Sequence, residues 1–335
     1  MSHREGTYAF SELVAWSLAV ASMPRLPGLV SIDADERLNR VRLGITDDEA
    51  RARVLELLTS AGVPVAAVAF DIRGNTGRLL ATVRNRVRAT AGGLQIQNSG
   101  TLLCTLGFNV DVAFYGEKGF LTASHCATGA IGQGSTGDTI YQNTKAANNR
   151  VGKVHINFPW NSTDPSCGGI SLCTSADAMF VRAFADTTSA NWQKRIARTS
   201  TNMPTNSANG SLTIDAFYVG IAEVPFLFVG ATVYKVGRTT GGTSGTIGAT
   251  CDYPLYESIY AFLCVARVDN ASNGGGDSGA PVFYRPAGTE PPYAIGILFA
   301  GGGSSYDSVR CTAGCYYHFS EWYAIGQRLS RYFIP

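Results

Sequence analysis

Two short segments carry the residue types that acyl transfer requires. One runs Gly274-Gly275-Gly276-Asp277-Ser278-Gly279-Ala280-Pro281-Val282, a serine set among glycines. The other, Leu121-Thr122-Ala123-Ser124-His125-Cys126, ends an apolar run on a histidine and a cysteine. A serine hydroxyl is a weak nucleophile near neutral pH. It attacks a carbonyl only with a base to take its proton and with donors aimed at the oxyanion that forms. Glycines around Ser278 let the backbone turn sharply, so that the N–H groups of Gly276 and Ser278 point at one spot. Either segment alone is weak evidence, because a glycine-flanked serine is more often a turn. Histidine is scarce: His3 lies at a terminus, and His155 alternates within Val154-His155-Ile156-Asn157 as a half-exposed strand residue. His125 and His318 remain.

Taken in this order, the two segments resemble the chymotrypsin-like serine peptidases, and the bacterial branch in particular. The resemblance covers roughly Gly92 to Pro335. It includes Lys235-Val236-Gly237-Arg238-Thr239-Thr240-Gly241, like a strand and turn of that branch, and Gly296-Ile297-Leu298-Phe299-Ala300-Gly301, like the strand that holds substrate backbone. It implies an all-β fold of two six-stranded β-barrels with the active site between them. His125 would be the general base, Ser278 the nucleophile, and Gly276 and Ser278 the oxyanion hole.

The family's order of His, Asp, Ser asks for an acid between His125 and Ser278. Among Asp138, Asp164, Asp177, Asp186, Asp215, Asp252 and Asp269, Asp177 opens the apolar run Ala178-Met179-Phe180-Val181. It would sit half-buried at a strand start, where a histidine N–H and backbone amides can satisfy it. Asp186 reads as a turn cap. Asp277 should be buried and needs a cation. The chain has no Ile-Val-Gly-Gly start to supply a new N-terminus, so Lys235 is the expected partner, with Arg238 as the alternative.

Substrate contacts are expected from Ser272, Phe299, Ala300 and Gly301. A trypsin-like enzyme would carry aspartate where Ser272 stands, so cleavage after Lys or Arg is disfavoured. Gly301 and Gly302 would leave the pocket open, favouring an apolar or small side chain; a glutamate preference through His318 is the alternative. The resemblance implies a Cys104–Cys126 bridge beside the base. Cys167–Cys173, Cys251–Cys264 and Cys311–Cys315 would close short loops, each adding roughly 2–3 kcal/mol. The family's cysteine four residues before the nucleophile is replaced by Gly274.

The rest of the composition agrees with a secreted β protein. All eight cysteines lie after residue 100, none in a C-x-x-C pair and no histidine at zinc-finger spacing. That favours disulfides and an oxidising compartment over a structural metal, and no metal or cofactor is expected. A formal charge of +2 indicates neither nucleic acid nor a membrane surface as partner; the resemblance implies a polypeptide substrate. Leu13 to Ala21 is apolar, but Glu5 and Glu12 precede it, so it reads as an amphipathic helix. A signal peptide is not evident here.

Thirty-eight glycines and few charges suit many short strands and turns. From about Gly92 strand-like segments alternate with Gly/Asn/Ser/Thr turns: Thr101–Leu106, Asp111–Phe114, Gly119–Ala123, Ala178–Ala183, Thr232–Val236 and Ala294–Ala300. Glu321 to Arg331 could form one closing helix. Residues 1–88 read instead as a small α/β unit: a helix over residues 8–23 ended by Pro24 and Pro27, and strands at Leu29–Ile32, Arg40–Leu43 and Val65–Ile72. A second helix over Ala50–Leu58 would start at Thr46-Asp47-Asp48-Glu49, with a hydroxyl at its cap. This unit would be a pro-segment acting in cis, making the protein a zymogen, or an accessory domain. Arg84, Arg86 and Arg88 would mark the processing junction, with the peptidase domain over residues 89–335. The sequence therefore reads as a serine endopeptidase; the alternative is a non-catalytic binding protein on a peptidase fold. An esterase of the α/β-hydrolase type is argued against, since that fold uses Gly-x-Ser-x-Gly with the histidine last.

Overall fold

The computed structural model of the chain describes residues 6–23, 27–72, 81–112, 117–187, 194–199, 203–205, 209–223, 227–286 and 291–329. It divides into two units, Met1–Leu79 and Leu80–Pro335.

The first unit is a three-stranded sheet with Arg40–Ile45 in the middle. Leu29–Asp35 pairs with it antiparallel and Val68–Ile72 parallel. A parallel pair needs a crossover, and the helix Asp48–Ser60 supplies it. Asp47 caps this helix, its Oδ1 accepting the Ala50 N–H at 2.7 Å. The cap is therefore the carboxylate, and the Thr46 hydroxyl hydrogen-bonds Asp47 instead of the helix. Leu13 and Val20 of the helix Phe10–Ala21 join Val41, Leu43, Val54 and Leu58 in one core. Pro24 lies outside the described residues.

The second unit is all-β, as the sequence implied, and is built on two seven-stranded sheets. In the first, the spatial order is Leu103–Thr105, Gln95–Gln97, Thr139–Tyr141, Arg150–Ile156, Met179–Ala183, Glu117–Thr122 and Asn109–Val112. This sheet curls into a half-barrel. Its ends are drawn together where the Gly107 N–H donates to the Leu121 carbonyl and the Leu121 N–H to Phe108, both at 2.9 Å. In the second sheet, Tyr293–Gly302, Pro281–Tyr284, Thr232–Gly237, Gly241–Asp252, Val265–Asp269 and Tyr316–Glu321 follow one another. The last of these pairs back onto the first, closing a six-stranded barrel with no free edge. Ala222–Glu223 is added outside it.

One core cluster draws on both sheets: Phe108 and Leu121 from the half-barrel, Val236, Phe283 and Ile297 from the closed barrel. The helix Trp322–Leu329 adds Ile325 and Leu329 to it. That places the strand ends bearing His125 and Ser278 around a shared, dry wall. Arg331 and Phe114 lie outside the described residues.

The boundary between units differs from the sequence expectation of residue 88. Residues 81–88 belong to the β unit. The Val83 N–H donates to Leu212 O at 2.8 Å, and Val83 O accepts the Gln95 N–H at 2.7 Å. Its side chain is fully buried in the shared core. The sequence hid this because Val83 stands in an arginine-rich run that reads as surface. Val83→Ala in a Ser278→Ala background should lower the unfolding free energy of the β unit by about 2–3 kcal/mol. Urea unfolding followed by tryptophan fluorescence measures it; a cost below about 0.5 kcal/mol would return this segment to the surface.

Candidate active site

The turn around Ser278 is held from below by a buried ion pair. Lys235 projects from Thr232–Gly237 and is wholly buried, as is Asp277. The ammonium lies 3.3 Å from Asp277 Oδ2 and also donates to the Thr240 hydroxyl. Thr240 Oγ1 in turn donates to Asp277 Oδ2 at 2.6 Å, and the Thr239 and Thr240 N–H groups donate to Oδ1 at 2.9 and 3.2 Å. Burial depresses the Lys235 pKa, and the Asp277 charge and hydrogen bond oppose that shift. Lys235 is thus the partner expected from the sequence. Arg238, the alternative, reaches Gln95 Oε1 at 2.8 Å and the Thr239 hydroxyl at 3.1 Å.

With Asp277 fixed, most amides of the turn are engaged. Gly275 N–H donates to Val309 O, Asp277 N–H to Gly274 O, Gly279 N–H to Leu298 O and Ala280 N–H to Asp277 O, at 2.7–2.9 Å. The amides of Gly276 and Ser278 donate to no protein group among the described residues. Gly276 has φ +92°, and a Cβ there would meet the Arg238 guanidinium at 2.8 Å. At Gly279, also at positive φ, a Cβ would lie 2.1 Å from Thr122 Oγ1 and 2.2 Å from Thr105 O. Only glycine allows this chain path beside the half-barrel.

His125 sits in a single 3-10 turn, Ser124–Cys126, directly after the strand Glu117–Thr122. Its Nδ1 lies 2.5 Å from Asp177 Oδ2, and its backbone N–H donates to Asp177 Oδ1 at 3.1 Å. Asp177 is 1% exposed, and its own N–H donates to Ser320 Oγ at 2.8 Å. Burial depresses the His125 pKa, but the Asp177 charge and hydrogen bond outweigh it and leave the pKa above the ordinary 6.5. Asn157, which sequence reasoning passed over, fixes the turn from the other side: it accepts from the Ser124 hydroxyl at 2.7 Å and donates to Ser124 O at 3.3 Å.

The serine turn meets the half-barrel at the Ser278 carbonyl. Thr105 N–H donates to Ser278 O at 2.8 Å, and Cys126 Sγ lies 3.8 Å from that same oxygen. Ser278 Oγ itself rests against the Phe299 carbonyl at 3.5 Å. The bridges Cys104–Cys126, Cys167–Cys173, Cys251–Cys264 and Cys311–Cys315 are all formed. Cys104, His125 and Cys126 lie within ligand reach of one another, but sulfurs joined in a disulfide offer a metal no thiolate.

The expected substrate-contact residues divide into two groups. Ala300 and Gly301 are partly open, whereas Ser272 is fully buried with a hydroxyl lacking a partner among the described residues. The Phe299 ring faces inward and stacks on Phe262 with centroids 4.3 Å apart, so only its carbonyl faces Ser278. The space beside Gly301 and Gly302 is not empty. A Cβ at Gly301 would meet the Asn273 carboxamide at 2.5 Å, and one at Gly302 the Tyr316 ring at 2.3 Å. Asn273 donates to Gly302 O and Tyr316 O and accepts from the Tyr306 hydroxyl at 3.2 Å. These neutral side chains fill the space beside the two glycines; Asn273, Tyr306 and Tyr316 carried no signal in the sequence.

His318 is buried, with Nδ1 2.6 Å from the Tyr256 hydroxyl and Nε2 3.0 Å from Asp252 Oδ2. Both ring nitrogens are occupied, which leaves none for a substrate carboxylate. His155 is exposed beside Arg182, 2.6 Å from Nη2. Asp186 lies in a short 3-10 turn and pairs loosely with Arg150 at 3.6 Å.

Comparison with known proteins gives one curated match, "Serine protease 1" of Streptomyces fradiae. It is 26% identical over 279 residues, which are 82% of this chain and 61% of that protein. The chain thus spans about three fifths of that relative's length. No family model matches. Among solved structures, a Nocardiopsis protease and the Cellulomonas bogoriensis chymotrypsin are each 23% identical. Each covers 72% of this chain and 95% of its own, with a TM-score of 0.47. A glutamic acid specific serine protease is 22% identical, covering 72% of this chain and 97% of its own, also with a TM-score of 0.47.

The buried pair makes a direct prediction. Lys235→Met leaves the Asp277 carboxylate buried without its cation and should cost about 3–5 kcal/mol in urea unfolding. Lys235→Met with Asp277→Asn, which leaves neither charge, should recover most of that loss. A single variant costing under about 1 kcal/mol would mean that the pair does not hold the turn.

Proposed function

We propose that this chain, similar to the bacterial chymotrypsin-like serine peptidases, is a serine endopeptidase. One observation carries the reading. The Gly276 and Ser278 amides are left without protein acceptors among the described residues, while those of Gly275, Asp277, Gly279 and Ala280 are engaged, and the Ser278 carbonyl lies 3.8 Å from Sγ of Cys126, the residue after the Asp177-paired His125. In the reaction, Ser278 Oγ attacks the scissile carbonyl carbon as its proton passes to His125 Nε2. The carbonyl oxygen, now an oxyanion, is held by the two amides. Asp177 keeps the Nδ1 proton in place and stabilises the imidazolium. That imidazolium gives its proton to the leaving amine, forming an acyl-enzyme, and water repeats the sequence to release the acid.

Within this reading the substrate is a polypeptide, cut after apolar or small residues. The pocket wall of Ser272, Asn273, Tyr306 and Tyr316 carries no carboxylate to meet Lys or Arg. The carboxylate of Asp252 is already matched by Arg267 at 3.4 Å and by His318. Four disulfides fit an oxidising, extracellular setting. The non-catalytic alternative loses ground because Ser278, His125 and Asp177 are all present.

Ser278→Ala and His125→Ala should each lower kcat by about four to six orders of magnitude with the far-UV spectrum unchanged. Because His125 must be neutral to accept a proton, kcat/KM should fall as pH drops, through an apparent pKa above 6.5. Asp177→Asn should move that pKa downward and cut kcat by about 10⁴. A Ser278→Ala enzyme with a tenth of the activity would end the assignment.

Residues 1–79 act in this reading as a pro-segment, and the processing junction moves accordingly. A cut at Arg84–Arg88 would remove Val83 from the core, whereas Leu79-Leu80 lies at the unit boundary and offers an apolar residue before the scissile bond. N-terminal sequencing of active secreted protein should therefore begin at Leu80 or within a residue or two of it. Ser278→Ala protein should keep residues 1–79. A start at Ala89, or an active enzyme that retains residues 1–79, would overturn this junction.

A further inference from the structure

A cleft of about 150 Å³ lies in the β unit, and three arginines line it: Arg86, Arg88 and Arg150. Asp186 is the single carboxylate in its wall, and Ala147, Asn148 and Thr187 complete the lining. Three guanidiniums against one carboxylate leave a net charge of +2 around a small volume. Neutral acceptors hold two of the cations in place. Arg86 Nη2 donates to Asn148 O at 3.2 Å, and Arg88 donates to Gln142 Oε1, to Val87 O at 3.2 Å and to Asn149 O at 3.4 Å. Arg150 lies over the Phe184 ring, 5.1 Å from its centroid, and meets Asp186 at 3.6 Å.

The Asp186–Arg150 pair is solvent-exposed, and such pairs are weak. It therefore offsets little of the repulsion among the arginines. Arg88 registers that repulsion: burial first, then the nearby Arg86 charge, brings its pKa down to about 10, with Asp186 opposing. A group that fits here must carry more than one negative charge and present several oxygens. Planar guanidinium forks match a tetrahedral oxyanion of this kind in geometry as well as charge.

We propose that this cleft binds a tetrahedral oxyanion, phosphate or sulfate, which clamps the 81–88 segment to the loop at 147–150. Arg86 and Arg88 come from the segment at 81–88, at the start of the β unit, and Arg150 from the strand Arg150–Ile156. One ion touching all three ties the entry of the chain to the half-barrel. Occupancy would shield the exposed arginines from proteolysis.

The test uses full-length Ser278→Ala protein, with inorganic phosphate and sulfate titrated against chloride at matched ionic strength. Two readouts are followed: the thermal midpoint, and the rate of trypsin cleavage at Arg84, Arg86 and Arg88. Phosphate and sulfate should each raise the midpoint saturably and slow cleavage several-fold, whereas chloride should do neither. Arg150→Gln leaves all three tryptic sites in place and should weaken apparent oxyanion affinity about threefold to tenfold. Asp186→Asn removes the competing carboxylate and should tighten it. Equal protection by chloride, or an unchanged phosphate response in Arg150→Gln, would overturn the proposal.

Discussion

The turn that presents Ser278 depends on one buried interaction, the pairing of Asp277 with Lys235. Taking two charges into a protein interior is costly, and such a pair survives only when further hydrogen bonds satisfy it. Here the carboxylate receives the ammonium, the Thr240 hydroxyl and two backbone amides. Each donor comes from the strand Thr232–Gly237 or the turn that follows it. The acid is thus anchored to one hairpin of a closed barrel. With Asp277 held, the chain on either side has little freedom, and the amides of Gly276 and Ser278 are turned away from protein acceptors.

The half-barrel supplies the complementary constraint. Thr105 N–H grips the Ser278 carbonyl, and Thr122 Oγ1, bonded to Thr105 O at 2.8 Å, stands where a side chain on Gly279 would be. The histidine follows the strand that carries Thr122, so the surface that packs under the serine turn also sets the position of His125. Asp177 is held from the opposite side by Ser320, which lies on the strand closing the other barrel. The Ser278 turn thus meets residues of both sheets, Asp177 is reached across the sheets by Ser320, and His125 is held in turn by Asp177.

The sequence made some of this legible and hid the rest for physical reasons. His125, Asp177 and Ser278 stand beside local patterns, namely a strand end, an apolar run and a glycine turn, so neighbouring residues announced them. Lys235 could be chosen because a buried acid needs a cation and few candidates lay on a strand. Asn273, Tyr306 and Tyr316 converge from separate segments, and nothing local marks their meeting. Gly301 and Gly302 suggested open space, whereas the missing Cβ atoms make room for Asn273 and Tyr316. The place of residues 81–88 was equally hidden: one valine among arginines carries the packing, and the charges dominated the reading. Thr46 looked like a helix cap because its hydroxyl suits that role, yet Asp47, one residue later, does the work.

The wall opposite the serine turn has a distinctive attachment. Gly274 stands where the family resemblance implies a cysteine, and the segment at 309–311 is joined to residues 273–275 by backbone hydrogen bonds: Gly275 N–H to Val309 O and Cys311 N–H to Asn273 O, both at 2.8 Å. The nearby disulfide closes Cys311 onto Cys315 within its own segment. This segment thus leans on the serine turn through hydrogen bonds, and its disulfide stays within the segment. The turn at Ser278 draws its own support from Lys235 through Asp277. The segment at 304–316 and the turn at Ser278 are thus supported by separate sets of contacts.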